Sequence, residues 1–206
     1  DLLPLRQTYV NLGHDVPQKL ISTIDRMYPA LRFFRHQDGD LALFNGASST
    51  PASELISVLR YDETAGTPFK SLPHMHYHRL SAGGATVIAD TGKPLSPELS
   101  RQSHAGCLAF EMSAGRHRFI VNSGAPKFSG RDYRLLARTT AAHSTVTLNE
   151  TSSSRLLRSA FCRSSILAGI SDIDVERWED AHGNDWLRAS HDGYLREFGY
   201  CHEREI

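Results

Sequence analysis

Nowhere in this sequence do about 18 apolar residues follow one another, so it holds no candidate transmembrane helix. Cysteine is scarce. Cys107, Cys162 and Cys201 are the three, none in a C-x-x-C pair, which removes zinc-ribbon and dithiol motifs; an odd count leaves at least one unpaired, and all three read as small buried side chains. Excess charge of one sign is also missing: Lys plus Arg and Asp plus Glu number 23 each, so no net field draws the chain to nucleic acid or an anionic membrane. No H-E-x-x-H pairing exists, which places a metal-dependent hydrolase last among the readings. Internal repeats are lacking, and the one low-complexity tract is the short run Thr151 to Ser154.

What is present describes a globular chain: 206 residues, 40% hydrophobic and 22% charged, enough for one large domain or parts of two. Eleven histidines are many for this length and favour metal binding or a polar groove. The sequence opens at Asp1 inside an apparent helix and stops at Ile206 in strand-like sequence, so it reads as a piece of a longer protein.

Two patterns divide the chain. In the first part Asp15 can cap a helix with Pro17 in its first turn, and Leu20, Ile24, Met27, Tyr28 and Leu31 make an amphipathic stripe. Gln37 to Asp40 reads as a turn, and Thr50 before Pro51 starts another helix with Leu55, Ile56 and Leu59 inward. The polar stretch Asp62 to Pro73, with Gly66, Pro68 and Pro73, is the boundary, giving a helical region over 1–66 and a second region over 67–206. There the period becomes two. Strands are expected at Thr86 to Asp90, Cys107 to Ser113, His117 to Ser123, His143 to Asn149, Ile173 to Trp178 and Trp186 to His191. Strands that follow one another without crossover helices imply an antiparallel sandwich and an α+β class. Phe110, Phe119, Val121, Val146 and Leu148 are the expected core.

The stretch Arg101 to Glu150 carries the candidate chemistry. His104 and His143 each precede an expected strand, and Asn122 ends a strand between them, so three potential ligands converge from separate strands. His74, His76 and His78 alternate and would share one face of a strand, which reads as a solvated edge more readily than as a chelate. Arg131, Arg134 and Arg138 lie just before His143, and guanidinium forks suit carboxylate or sulfate.

His104-Ala105-Gly106-Cys107-Leu108-Ala109-Phe110, then Val121-Asn122-Ser123-Gly124, then Ala142-His143-Ser144-Thr145-Val146 resemble the heparinase II/III-like domain of polysaccharide lyases. The family runs His-x-His-x-Asp-x-x-(Ser/Asn)-Phe, Val-Asp-x-Gly and a His-Asn-Thr strand start. His191-Asp192-Gly193-Tyr194 with His202-Glu203-Arg204 is similar too. The resemblance implies the end of an α/α toroid followed by an antiparallel β-sandwich, a periplasmic or cell-envelope location, and metal-ligand positions at His104, Asn122 and His143, with zinc as the ion. The departures are informative. The family's catalytic first histidine falls on Gln102, which cannot act as a base, its motif aspartate on Gly106, and its metal-binding aspartate on Asn122, a weaker zinc donor than a carboxylate. No catalytic residue is therefore assigned. A catalytic tyrosine in the family comes from the upstream toroid, so Tyr133 does not inherit that role.

Two functions follow from the resemblance. The leading one is a lyase that cleaves uronic-acid polysaccharides by β-elimination, with Arg131, Arg134 and Arg138 binding the acidic chain. The alternative is a catalytically impaired module that grips a glycan or cell-envelope polymer. In either case the 206 residues alone are expected to be inactive.

Overall fold

The computed structural model describes residues 2–62, 66–125, 130–156 and 166–206. Cys162 lies outside the described residues, as does the side chain of Arg131. Three helices come first: α1 (Leu2–Asn11), α2 (Gln18–Phe34) and α3 (Ala52–Leu59). Pro17, with its φ already near the helical value, stands at the N-cap of α2 without any side-chain cap from Asp15. The helix buries Ile24, Tyr28 and Phe33, while Met27 is half exposed, so the expected stripe is one position too wide. Among the described residues no helix is long and apolar enough to cross a membrane.

From residue 71 the chain is an antiparallel strand protein. A five-stranded sheet runs in sequence order through β1 (Ser71–Leu72), β2 (Tyr77–Ala82), β3 (Ala85–Asp90), β4 (Phe110–Ala114) and β5 (His117–Ile120). The short helix α4 (Arg131–Leu136) and a two-stranded ladder, β6 (Arg155–Leu156) with β7 (Ile166–Ala168), follow. A three-stranded sheet has the order β10-β9-β8, from β8 (Ile173–Glu179), β9 (Asp185–His191) and β10 (His202–Glu205), with α5 (Leu195–Phe198) between the last two. The tightest reversal joins β2 and β3: Gly83 and Gly84 both take positive φ, 55° and 81°, which a two-residue hairpin loop of this twist requires.

Three apolar clusters hold these layers. Phe33, Phe44, Tyr77, Ile88 and Ala109 join the end of α2 to the first sheet. Leu80, Ala89 and Leu187, with Val87, Phe110 and Ile206 against them, join the two sheets. Cys107, Leu108, Ile170 and Ala189 close the end nearest β9.

Several expectations need correction. Phe119, Val121 and Val146 are 66%, 50% and 43% exposed and form no part of the core; Phe110 and Leu148 are half-buried. β5 is the outer strand of its sheet, and it turns Arg118 inward because Asp38 and the Leu41 carbonyl receive the guanidinium. On β4 the fully buried side chains are Ser113 and Glu111, and Glu111 accepts hydrogen bonds from the amides of Leu43 (2.9 Å) and Asn122 (3.1 Å) and faces His36 Nε2 at 3.2 Å. His143 to Asn149 is not a strand: it runs as bends, with a single bridge from Leu148 to Thr151. His74 and His76 sit in a turn and only His78 on a strand, so the three share no strand face.

Candidate functional site

Ser103 to Ala109 does not extend β4 backwards. Leu108 takes a positive φ of 59°, Ala109 N closes a turn onto Gly106 O, and Leu108 N is held by Asp90 O. This bend carries His104 beneath the loop that bears His143. Gly106 is required here, because a Cβ at that position would stand 2.9 Å from Cδ2 of the His143 ring.

The two imidazoles meet edge to face, with His104 Nδ1 3.0 Å from His143 Nε2. Their partners fix the proton order. His143 Nδ1 donates to the Thr139 carbonyl at 2.8 Å, so its Nε2 carries the lone pair and must accept from His104 Nδ1–H. That leaves a lone pair on His104 Nε2. Burial, the neighbouring His143 and the Arg138 guanidinium push the pKa of His104 down to about 3, and burial lowers that of His143 as well. Both rings are neutral at physiological pH.

Beside the pair lies a second group. Asn45 Nδ2 donates to Tyr77 Oη at 2.7 Å and to Asp90 Oδ2 at 3.1 Å, and Tyr77 Oη–H also bonds Asp90 Oδ2 at 3.2 Å. Asn45 Oδ1 accepts from the His104 amide, which ties the two groups together. Burial raises the Asp90 pKa to about 7, against the lowering by the Gly92 amide, Tyr77 and Asn45; burial and Asp90 raise Tyr77. Asn45, Tyr77, Asp90, Gln102 and His104 all line one cavity of about 410 Å³, with His74, His76 and Lys93 also on its wall. Ser154 lines it too, buried and with no hydrogen-bond partner for its Oγ among the described residues.

Of the sequence candidates, the structure brings His104 and His143 together and sets Asn122 apart in its bonding. Asn122 Oδ1 accepts from Ser144 N at 3.0 Å, and its Nδ2 points to Glu111 Oε1 at 3.4 Å. Two nitrogens on one tetrahedral zinc, at roughly 2.0–2.1 Å each, would stand about 3.3 Å apart, and a ligand imidazole commonly donates its other N–H to a carbonyl. The histidine pair meets both conditions approximately. A third donor does not follow: Asn122 is a neutral amide already engaged, and among the described residues no group of three or more His, Cys, Asp or Glu side chains is placed to hold an ion. The donor set stops at two imidazoles, which does not fit a closed zinc site.

The arginines divide as well. Arg138 is buried and donates to the carbonyls of Ser100 and Ser103, whereas Arg134 is exposed on α4; neither lines the cavity. Asn45, Tyr77 and Asp90 went unnoticed in the sequence. A usable signal existed: the register set by the Gly83-Gly84 turn puts Tyr77 opposite Asp90.

Residues 64–206 match the family described as heparinase II/III-like, C-terminal. Over 210 aligned residues the chain is 31% identical to FtsZ-localized protein C of Caulobacter vibrioides (strain NA1000 / CB15N), covering 100% of this chain and 36% of that protein. Heparan sulfate lyase HepC from Pedobacter heparinus superposes with a TM-score of 0.65 at 17% identity, over 100% of this chain and 33% of that one. A heparinase III gene product gives 0.65 at 17% identity, over 92% and 31%. The two lyase structures share the fold, and the chain spans about a third of the length of each of these relatives.

Proposed function

The chain belongs to the heparinase II/III-like family, and from that membership we propose that it forms the sheet side of a cleft that grips an acidic cell-envelope polysaccharide without cleaving it. One observation carries this reading: the cavity beside the histidine pair presents Gln102 where the family's catalytic histidine falls, next to Asn45, Tyr77, Asp90 and His104, whose polar groups bond one another. His104 offers Nε2 as an acceptor but, at a pKa of about 3, too little basicity to abstract a proton. Gln102 and Ser154 can bond sugar hydroxyls and cannot titrate. Asp90 sits near 7, but its oxygens already accept from Gly92, Asn45 and Tyr77.

β-Elimination of a uronic-acid polymer requires neutralising the C6 carboxylate, removing the C5 proton and protonating the departing O4 oxygen. Neither His104 nor Asp90, held as they are, supplies the base and acid for those steps. The test combines calorimetric binding of heparan, hyaluronan and alginate oligosaccharides with ultraviolet absorbance of the C4=C5 product. Saturable binding that is weakened in Gln102→Ala, with no absorbance from the chain alone, is the expected result. Turnover by the chain, lost in His104→Ala, would overturn it.

A second reading rests on the Caulobacter relative, whose identity to this chain is nearly twice that of the two lyases and whose name places it with FtsZ. In that reading the fold serves as an assembly module at the division site. Co-sedimentation with FtsZ polymers, in the absence of any glycan, separates the two.

A further inference from the structure

A second cavity, of about 730 Å³, lies at the far end of the β2–β3 hairpin from the histidine pair. Arg79, Thr86, Lys70, Gln37 and the turn glycines Gly83 and Gly84 are on its wall. The strand partner β1 ends where Ser71 faces His78, so the edge of β2 beyond Arg79 opens onto this space.

Arg79 is 9% exposed, and its guanidinium is the feature to explain. Nη1 donates to the carbonyls of Phe33 (2.7 Å) and Arg35 (3.0 Å), capping the C-terminal end of α2, and Nη2 lies 3.5 Å from Thr86 Oγ1. None of these partners is a carboxylate. A helix C-terminus offers about half an elementary charge, which leaves a buried cation only partly compensated. The neighbouring charges do not complete it. Asp185 is taken by Arg177 in a bidentate pair and by Lys70, and Glu179 by Lys70. Among the described residues around this cavity three cations, Lys70, Arg79 and Arg177, face two carboxylates, Asp185 and Glu179, and Arg79 is the cation that pairs with neither. Desolvation accordingly lowers its pKa.

We propose that this cavity is an oxyanion site, which takes a sulfate or phosphate group on the Nη2 edge of Arg79, with Thr86 Oγ1 beside it and Lys70 at the mouth. The planar guanidinium fork matches two oxygens of such a group, and a charge-assisted bond of this kind is about twice as strong as a neutral one. The hairpin glycines leave open space where side chains would stand, since a Cβ on either would meet nothing within 4 Å. The group could be a free inorganic anion or an ester on a glycan, and the site does not depend on the polysaccharide reading of the first cavity.

The experiment follows the Arg79 side-chain ¹H–¹⁵N resonances during titration with sodium sulfate and sodium phosphate, with sodium chloride at matched ionic strength as control. Saturable shifts in the wild-type protein are expected. Arg79→Lys, which keeps the charge and loses the fork, should weaken sulfate binding about tenfold when read by calorimetry, and Thr86→Val by a few-fold. If Arg79→Lys does not fold, Lys70→Ala at the exposed mouth and the wild-type resonances still decide the matter. Competition by a sulfated but not a desulfated oligosaccharide identifies a glycan ester as the source; absence of competition with saturable sulfate binding identifies the free ion. Non-saturating shifts, or a sulfate response equal in wild type and variants, would reduce Arg79 to a cap of α2 and overturn the site.

Discussion

The molecule contains two histidine pairs of nearly the same geometry. His104 and His143 are 3.0 Å apart and cross at 85°; His191 and His202 are 3.2 Å apart and cross at 84°. Their origins differ. His191 and His202 are direct cross-strand partners in the β9–β10 ladder, so regular pairing alone brings them together. His104 and His143 come from two bends outside any strand and meet only because Gly106 admits the second ring. The proton order is reversed too: His191 Nδ1 accepts from the Gly193 amide, so its Nε2–H donates to His202 Nδ1, whereas His143 is the acceptor in its pair. The same contact is thus a product of the sheet in one place and a feature of a cavity wall in the other. Geometry alone does not mark a site; the open nitrogen at a cavity does.

The comparison is sharpest if the pairs are broken separately. His143→Ala and His191→Ala should each lower unfolding free energy by about 3 kcal/mol, because each leaves a buried imidazole and a half-buried backbone group unmatched and opens a cavity. Urea melts measure that. Only His143→Ala should weaken oligosaccharide binding, and an equal loss in His191→Ala would erase the distinction.

Acid should act on both pairs alike. His104 is lowered to about 3 and His191 and His202 to about 4, against an unfolded value near 6.5. Below 6.5 the unfolded chain binds protons that the native rings refuse, so their stability is full above that pH and is lost as pH falls towards 4 and then 3. The slope is up to about 1.4 kcal/mol per pH unit per ring. Asp90, raised to about 7, has the opposite sign: it favours the fold as pH drops from 7 towards 4 and partly masks the loss. Melts at pH 7.0, 5.5 and 4.5 in Asp90→Asn should therefore show a steeper acid loss than wild type.

A smaller effect concerns metal. Asn122→Asp supplies the missing carboxylate but sets it beside buried Glu111, so in chelator it should cost about 2 kcal/mol. Added zinc should restore that loss in the variant and leave wild type unchanged; a wild-type gain in stability with stoichiometric zinc would place an ion between His104 and His143. Smallest of all, Arg134→Ala should change stability by less than about 0.5 kcal/mol, as expected on an exposed face. A few-fold loss of glycan affinity in it would extend the cleft to α4.

The legible parts of this chain were those with local rules. Alternation located β3, β8 and β9 nearly to the residue. What alternation leaves open is which face turns inward. Glu111 is fully buried and Phe119 is exposed because of partners far along the chain: His36 and Leu43 for the first, and Asp38 holding Arg118 inward for the second. His104 and His143 stand out through motif resemblance, whereas Tyr77 and Asp90 belong to no motif and meet as cross-strand partners, and Asn45 joins them only when the hairpin packs on the loop after α2.

Glu111 has one more effect. Its carboxylate receives an amide from the loop after α2, at Leu43, and another from the end of the sheet, at Asn122, in a place water does not reach. Neither amide should exchange its hydrogen for deuterium until the helical segment and the sheet separate, because half-opening would leave a buried carboxyl group short of a donor. Leu43 and Asn122 should therefore exchange at the slowest common rate in the chain, and the joint between helices and sheet should transmit torque as a rigid coupling.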